Sequence, residues 1–305
     1  MSAPGCAGPP PTIASDNAVP SYSGRQSFQR WREEPMSAVE TWGEMVRVEH
    51  EQSDRMRGVR PTDHWTQYAR QFKADPHRTD DVLVERLRAY LRPEDTLLDV
   101  GAGGGRLALP LALSCRSVTA VEPSPSMCAV LRETADESGI AVEVVESDWL
   151  TAVVEPADVS LCSHVVYVIE DIGNFVRKLN QNTRRLALMV VFQSAPQSQM
   201  YQLWEQVHGE PRHPLPSLPH FLPVLDELGI AYQVEELPAD PARGFDSEEE
   251  AREMIASRLY VASGSEAASK LSAVLDDSLQ QEDDGIWRIK GGSPLRTCIV
   301  SWRPT

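Results

Sequence analysis

The 305-residue chain is short of the features that mark secreted, membrane-spanning or metal-built proteins. It has five cysteines, Cys6, Cys115, Cys128, Cys162 and Cys298, scattered and without a C-x-x-C pair. An odd, dispersed set excludes a disulfide framework and a cysteine zinc cluster, and it points to reduced thiols in a cytoplasmic protein. No stretch reaches the roughly 18 uncharged apolar residues of a membrane span, so no membrane partner is expected. The first twenty residues lack an apolar core, which argues against a secretory signal. Positive charge is also scarce: Lys+Arg 29 stand against Asp+Glu 45, a net −16, and no basic block interrupts the imbalance. A surface of that sign repels phosphate backbones, so nucleic acid is not expected as substrate.

What is present suits a globular chain, 41% hydrophobic and 24% charged. Residues 1–35 are the exception. Rich in Pro, Gly and Ser, with Pro9-Pro10-Pro11 and Ser21-Tyr22-Ser23-Gly24, they are expected to be a disordered tail, and Met36 is compatible with a natural start. Beyond it, Ser37 and Glu40 have capping-box spacing, and Val39, Trp42, Met45 and Val46 share one helical face. A second helix is predicted over Asp63–Phe72. A third begins near Thr79, carries Val82, Leu83, Leu87, Tyr90 and Leu91, and stops at Arg92-Pro93.

From Thr96 the texture alternates. Apolar runs at Thr96–Val100, Ser117–Val121, Ala141–Glu146, Asp158–Ser163 and Arg185–Phe192 read as strands. Helical patterns at Arg106–Ser114, Ser124–Ser138 and Ile172–Leu179 separate them. Such alternation implies a parallel sheet covered on both faces. Further on, Gln197–Val207 reads as a helix and Pro211–Pro223, with five prolines, as an irregular segment. Leu222–Leu228 reads as a helix, Ile230–Leu237 as a strand, Ser247–Val261 and Ser265–Gln281 as two helices, and Arg296–Trp302 as a last strand.

The informative motif is Asp99-Val100-Gly101-Ala102-Gly103-Gly104-Gly105, because it follows a predicted strand and opens a helix. Glycine there lets a cofactor approach the backbone without a Cβ clash, and a helix N-terminus offers unpaired N–H groups. Glu122 stands 21 positions beyond Gly101, at the end of the second strand, where a carboxylate can accept both hydroxyls of a ribose. A tight turn with a surface glutamate is the plainer alternative.

The turn, spaced Gly101-x-Gly103-x-Gly105 and preceded by Asp99, resembles motif I of the class I S-adenosylmethionine-dependent methyltransferases. Dinucleotide enzymes favour G-x-G-x-x-G instead, and Tyr167 is followed four positions later by Asp171, not by the Lys of a Tyr-x-x-x-Lys pair. The resemblance implies S-adenosylmethionine as cofactor, held along Asp99, Gly101, Ala102, Gly103 and Gly105. Glu122 in Val121-Glu122-Pro123-Ser124 would take the ribose, with Pro123 beside it. Asp148 would take the adenine amino group and Trp149 would cover the ring. Ser163 and His164 would lie where the methionine part meets the substrate. Trp65-x-x-Tyr68-Ala69 resembles the family's aromatic patch over the cofactor, making Tyr68 a candidate there, although a core aromatic is an equal alternative. The implied fold is a doubly wound Rossmann-like seven-stranded sheet with an antiparallel last strand, in one domain over 36–305. A helical cap (36–92) and a helical insert (247–281) would complete it.

The implied activity is methyl transfer to a small-molecule acceptor by a cytoplasmic monomer or homodimer. A protein or RNA methyltransferase, and a non-catalytic cofactor-binding protein, stay open as alternatives. Because a sulfonium is already a good leaving group, the protein mainly positions the reactants and excludes water. His164 is the candidate base for an acceptor that needs one, with a hydrogen-bonded structural imidazole as the alternative. Tyr167, Glu170 and Asp171 follow it, and the last two also suit helix capping. His208, His213 and His220 have spacings that fit no helical ligand pair, so no metal is expected; the Pro211–Pro223 segment is expected to border the acceptor pocket. The chain lacks the Asn/Asp-Pro-Pro-Tyr motif of amide and adenine-amine enzymes and the Pro-Cys motif of cytosine-C5 enzymes.

Overall fold

The computed structural model describes residues 36–57, 63, 65–66, 68–238, 244–292 and 295–304. The predicted tail, 1–35 with Cys6, lies outside the described residues.

Seven strands form the main sheet: β1 (Thr96–Val100), β2 (Ser117–Glu122), β3 (Glu143–Glu146), β4 (Ala157–Ser163), β5 (Thr183–Phe192), β6 (Tyr232–Glu236) and β9 (Thr297–Trp302). Their order is β3-β2-β1-β4-β5-β9-β6. The first five run parallel, and β9 inserts antiparallel between β5 and β6. This is the expected doubly wound sheet with an antiparallel last strand. The period-2 geometry of a strand divides the core into two layers. Leu98 and Val100 of β1 and Met189 and Val191 of β5 pack on one face with Trp42, Phe175 and Phe221. Leu97, Leu188 and Val190 pack on the other with Leu83, Leu87, Leu111 and Leu131. Burial on both faces explains why these strands carry near-continuous apolar runs.

The flanking helices are α1 (Ala38–Arg57), α2 (Val82–Arg88), α3 (Ala108–Ala112), α4 (Pro125–Ser138), α5 (Ile172–Gln181), α6 (Tyr201–His208), α7 (Leu218–Glu227), α8 (Glu248–Arg258) and α9 (Glu266–Ser278). The capping box before α1 forms: the Ser37 N–H donates to Glu40 and the Glu40 N–H to Ser37 Oγ. α4 is bounded as its sequence dictates, with Ser124 accepting the Met127 N–H at the start and Gly139 left-handed at the end.

Four expectations need correction. Among its described residues, the helix predicted over Asp63–Phe72 is only a 3₁₀ turn, Ala69–Phe72. The first residue of that stretch, Asp63, accepts from the Trp65 N–H and from Ser124 and Ser126 of the α4 start, which draws the chain into a turn instead. The third helix begins at Val82, not Thr79, because the Asp81 carboxylate caps Leu83 and Val84. The proline segment is not irregular throughout. α7 starts after Ser217, takes Pro219 into its first turn where an N–H has no partner anyway, and tolerates Pro223 inside it. Full burial of Phe221, Val224 and Leu225 favours that helix. Finally, the helix predicted to reach Gln281 ends at Ser278. Leu279–Gln281 is a strand, β7, paired antiparallel with β8 (Trp287–Ile289) around a turn holding Asp284 and Gly285. A three-residue strand is too short to show a period, but Asp284-Gly285 is a turn signal. The insert is therefore two helices and a hairpin.

Candidate functional site at the carboxyl ends of strands 1, 2 and 4

The glycine turn leaves β1 with two unusual backbone positions. Gly101 has φ +75° and Gly103 φ +56°. A Cβ on Gly101 would stand 2.3 Å from Val165 Cγ2, whereas one on Gly103 would meet nothing within 4 Å. Gly101 is thus demanded by packing against the segment after β4, while Gly103 borders open space where a ligand's atoms can approach the backbone. The turn is pinned to β2: the Gly101 and Ala102 N–H groups donate to the Val121 carbonyl. Gly105 closes it by donating to the Ala102 carbonyl.

Two carboxylates meet beside this turn. Glu122 is nearly buried, and each of its oxygens accepts a backbone N–H, from Gly103 (2.8 Å) and Ser124 (2.8 Å). Burial raises its pKa, and those two bonds partly oppose the rise. Asp99 is 2% exposed, and its carboxylate accepts no hydrogen bond from a described residue. Its carboxyl is pushed up to about 7, first by burial and then by the Glu122 charge. An acid in that position is matched to a cation that would bind beside it.

The remaining candidates separate. Pro123 is exposed between Glu122 and the α4 cap. Asp148 is exposed after β3, and its carboxylate accepts the Leu150 N–H, so it organises its own turn. Trp149 is corrected. It is 4% exposed, packs edge-on with Phe175, donates its indole N–H to the Phe175 carbonyl and has Lys178 Nζ over its ring. An indole so enclosed has no face to offer an adenine. Tyr68 is half-buried, its hydroxyl 2.5 Å from Ser257 Oγ of α8, which joins the segment before β1 to the insert. Ser163 ends β4 opposite Val190. His164 follows it in a left-handed conformation, φ 57°, with its N–H donated to the Val190 carbonyl. Its ring stacks on Phe192 at 4.0 Å and its Nδ1 is 2.9 Å from the Tyr167 hydroxyl. Asp171 caps α5 through the Asn174 N–H, as the capping alternative predicts.

Two contributors carry no motif. Asp63 gathers Trp65 N–H, Ser124 Oγ–H and Ser126 N–H next to Glu122. Burial pushes its carboxyl up, but the bonds from Ser126, Trp65 and Ser124 together hold it below its ordinary value. Only its type, a capping acid, hinted at this. Phe192 gave no signal beyond ending a strand. The three histidines scatter: His208 lies against the Leu259 carbonyl, His220 Nδ1 accepts the Ser217 N–H, and the His213 N–H donates to Gln52. Among the described residues no three His, Cys, Asp or Glu side chains gather as a metal-binding group, and no helix is long and apolar enough to cross a membrane.

A parallel sheet with a glycine turn after β1 and acids ending β1 and β2 defines a nucleotide-cofactor domain of Rossmann type. A family profile described as a methyltransferase domain matches residues 98–191. Over 118 residues the chain is 34% identical to a ubiquinone biosynthesis O-methyltransferase of Azorhizobium caulinodans, covering 36% of this chain and 47% of that relative. Over 101 residues it is 35% identical to a ribosomal protein L11 methyltransferase of Pelotomaculum thermopropionicum, covering 32% of this chain and 33% of the relative. The chain thus spans less than half the length of these curated relatives. A solved structure from Bacillus halodurans, described as a methyltransferase, shares the fold with a TM-score of 0.51 at 18% identity, over 74% of this chain and 99% of the other. Residues 98–191 are thus similar to a methyltransferase domain.

Proposed function

We propose that the chain binds S-adenosylmethionine at the β1 turn and transfers its methyl group to a small-molecule acceptor at the end of β4. The observation that carries this is Asp99: a buried carboxylate with no described hydrogen-bond donor, beside a glycine turn open at Gly103. An ammonium-bearing cofactor suits such an acid better than a dianionic pyrophosphate does. Glu122 is the acid for the ribose hydroxyls; its oxygens keep lone pairs beyond the two backbone bonds they already accept. Asp148, Pro123, Ala102, Gly105 and Ser163 complete the cofactor-side candidates. Tyr68 is a further candidate from the segment before β1, tied to α8 through its hydroxyl.

When bound, S-adenosylmethionine supplies an electrophilic methyl group on a sulfonium leaving group. The chain's residues orient the donor along the turn, exclude water and hold the acceptor's nucleophile in line. The segment 36–92 serves as a cap and 247–281 as an insert bordering the acceptor's end, in one domain over 36–305. The acidic surface favours a small molecule over RNA. The L11 methyltransferase relative supports a protein acceptor as the second reading. We place the enzyme in the cytoplasm, as a monomer or homodimer.

Thermal unfolding with S-adenosylmethionine, S-adenosylhomocysteine and NAD tests the cofactor. Ligand at about 100 times its Kd stabilises by about 2.7 kcal/mol, which is easily read as a rise in Tm. Stabilisation by the two sulfur compounds is expected, and a response to NAD alone would sink the proposal.

A further inference from the structure

We infer that Tyr167 is a positioning residue that fixes His164 as its Nε2–H tautomer, so that His164 serves the acceptor as a hydrogen-bond donor and not as a proton-accepting base. This rests on the proposed placement of the acceptor at the end of β4.

Tyr167 is 4% exposed, and its oxygen accepts the Phe192 N–H at 2.7 Å. A phenol has one proton to donate. Burial, only partly opposed by the Phe192 N–H, pushes the phenol pKa up, so the proton stays on the oxygen. The one other partner of that oxygen among the described residues is His164 Nδ1, at 2.9 Å. The phenol proton therefore points at Nδ1, whose lone pair accepts it. A neutral imidazole accepting at Nδ1 carries its own proton on Nε2. Reversing the bond would put two N–H donors on the phenol oxygen and leave a buried O–H without an acceptor, a costly arrangement.

The rest of the setting holds the ring still. His164 is one of three non-glycine residues with positive φ among the described residues, a conformation that needs its surroundings to sustain it and that clusters at functional sites. The His164 N–H is tied to Val190 on β5, Val165 beside it packs on Gly101, and the His164, Phe192 and Tyr167 rings stack within 25° of parallel. The tyrosine thus couples the imidazole to the end of β5 through one hydroxyl. The acceptor that suits this edge offers an oxygen or nitrogen lone pair to an N–H. Its attacking atom must be nucleophilic without losing a proton to His164.

The test is nuclear magnetic resonance of the full chain labelled with ¹⁵N-histidine, with His164→Gln identifying the signals. The expected result is a bare Nδ1 and a proton-bearing Nε2 in the neutral ring. In Tyr167→Phe the ring's titration should move up relative to the intact chain, because the lost O–H stabilised only the neutral form. A proton on Nδ1 in the intact chain, or a Tyr167→Phe ring that titrates unchanged, overturns the proposal. Should Tyr167→Phe fail to fold, the tautomer of the intact chain still decides. In turnover, His164→Gln keeps an N–H near the Nε2 position, so a donor role predicts a loss in kcat/KM within about tenfold. A base role predicts a loss of about a hundredfold or more, matching His164→Ala. Adding S-adenosylhomocysteine and following the Gly101 and Gly103 amides reads the cofactor proposal separately, whichever tautomer is found.

Discussion

The strand edge that carries the glycine turn and the insert at residues 244–292 are held by different kinds of interaction. At the edge, main-chain groups do most of the holding: Val121 receives the Gly101 and Ala102 N–H groups, and Glu122 receives those of Gly103 and Ser124. The insert has a small core of its own, in which Ala251, Ile255 and Leu259 on and after α8 meet Leu271 and Leu275 of α9 and Trp204 of α6. Beside the β7–β8 main-chain pairing, side-chain ties surround it, as in Arg252 with Glu248 and Asp276. Backbone-built geometry leaves little room for substitution and fixes a cofactor of one shape. Side-chain packing tolerates exchange, so on the proposed function the insert is where acceptor specificity can change without disturbing the donor site.

The largest expected effect is at the edge. Gly101→Ala should lose about 4 kcal/mol of stability, from left-handed backbone strain together with overlap on Val165. Denaturant unfolding measures it, and Gly101→Ala with Val165→Ala should recover the overlap part. A loss below about 1 kcal/mol would show that the turn is softer than its backbone bonds imply. Next is Leu271→Ala in the insert, at about 3 kcal/mol from lost burial and cavity. Its mark should be local: hydrogen exchange rises in α8 and α9 while S-adenosylhomocysteine affinity stays within about threefold. Equal loosening of β1 and β2 amides would erase the contrast.

A smaller effect concerns pH. The Asp99 carboxyl is raised from 3.8 to about 7 in the folded chain. Being raised, it favours folding most below its unfolded value, and that contribution is lost as pH rises through about 7. Cofactor binding runs the other way, since an ammonium needs the ionised acid. Affinity should therefore fall by about tenfold per pH unit below about 7, with proton release on binding, and Asp99→Asn should flatten the profile. Calorimetry in buffers of different ionisation enthalpy checks both. The smallest effect is at Asp63, whose replacement by Ala removes its bonds to the α4 start and should weaken cofactor binding by about fivefold, or about 1 kcal/mol. An unchanged affinity would confine Asp63 to the fold.

The sheet was legible because its central strands are apolar on both faces and the turns and caps around them are recognisable: Thr96–Val100, and Ser124 to Gly139 around α4, appear as predicted. The site was legible where a residue's role is local. Glu122 and Gly103, 19 positions apart in the chain, meet because β1 and β2 are neighbouring strands. Trp149 was misread because position after a strand does not say which way an indole turns, and Phe175, 26 residues away, receives it. The β7–β8 hairpin was missed because its strands are three residues long.

The sequence alone determined the order of strands and helices, the glycine turn and the acids beside it, since these follow from periodicity and from short-range backbone rules. Only the tertiary structure decided that Val165 forbids a side chain at Gly101, that Asp63 folds onto the start of α4, and that the Tyr167 hydroxyl meets His164 Nδ1. Those outcomes depend on which side chains distant segments bring within about 3 Å of each other, the reach of a hydrogen bond, and no local pattern encodes that distance.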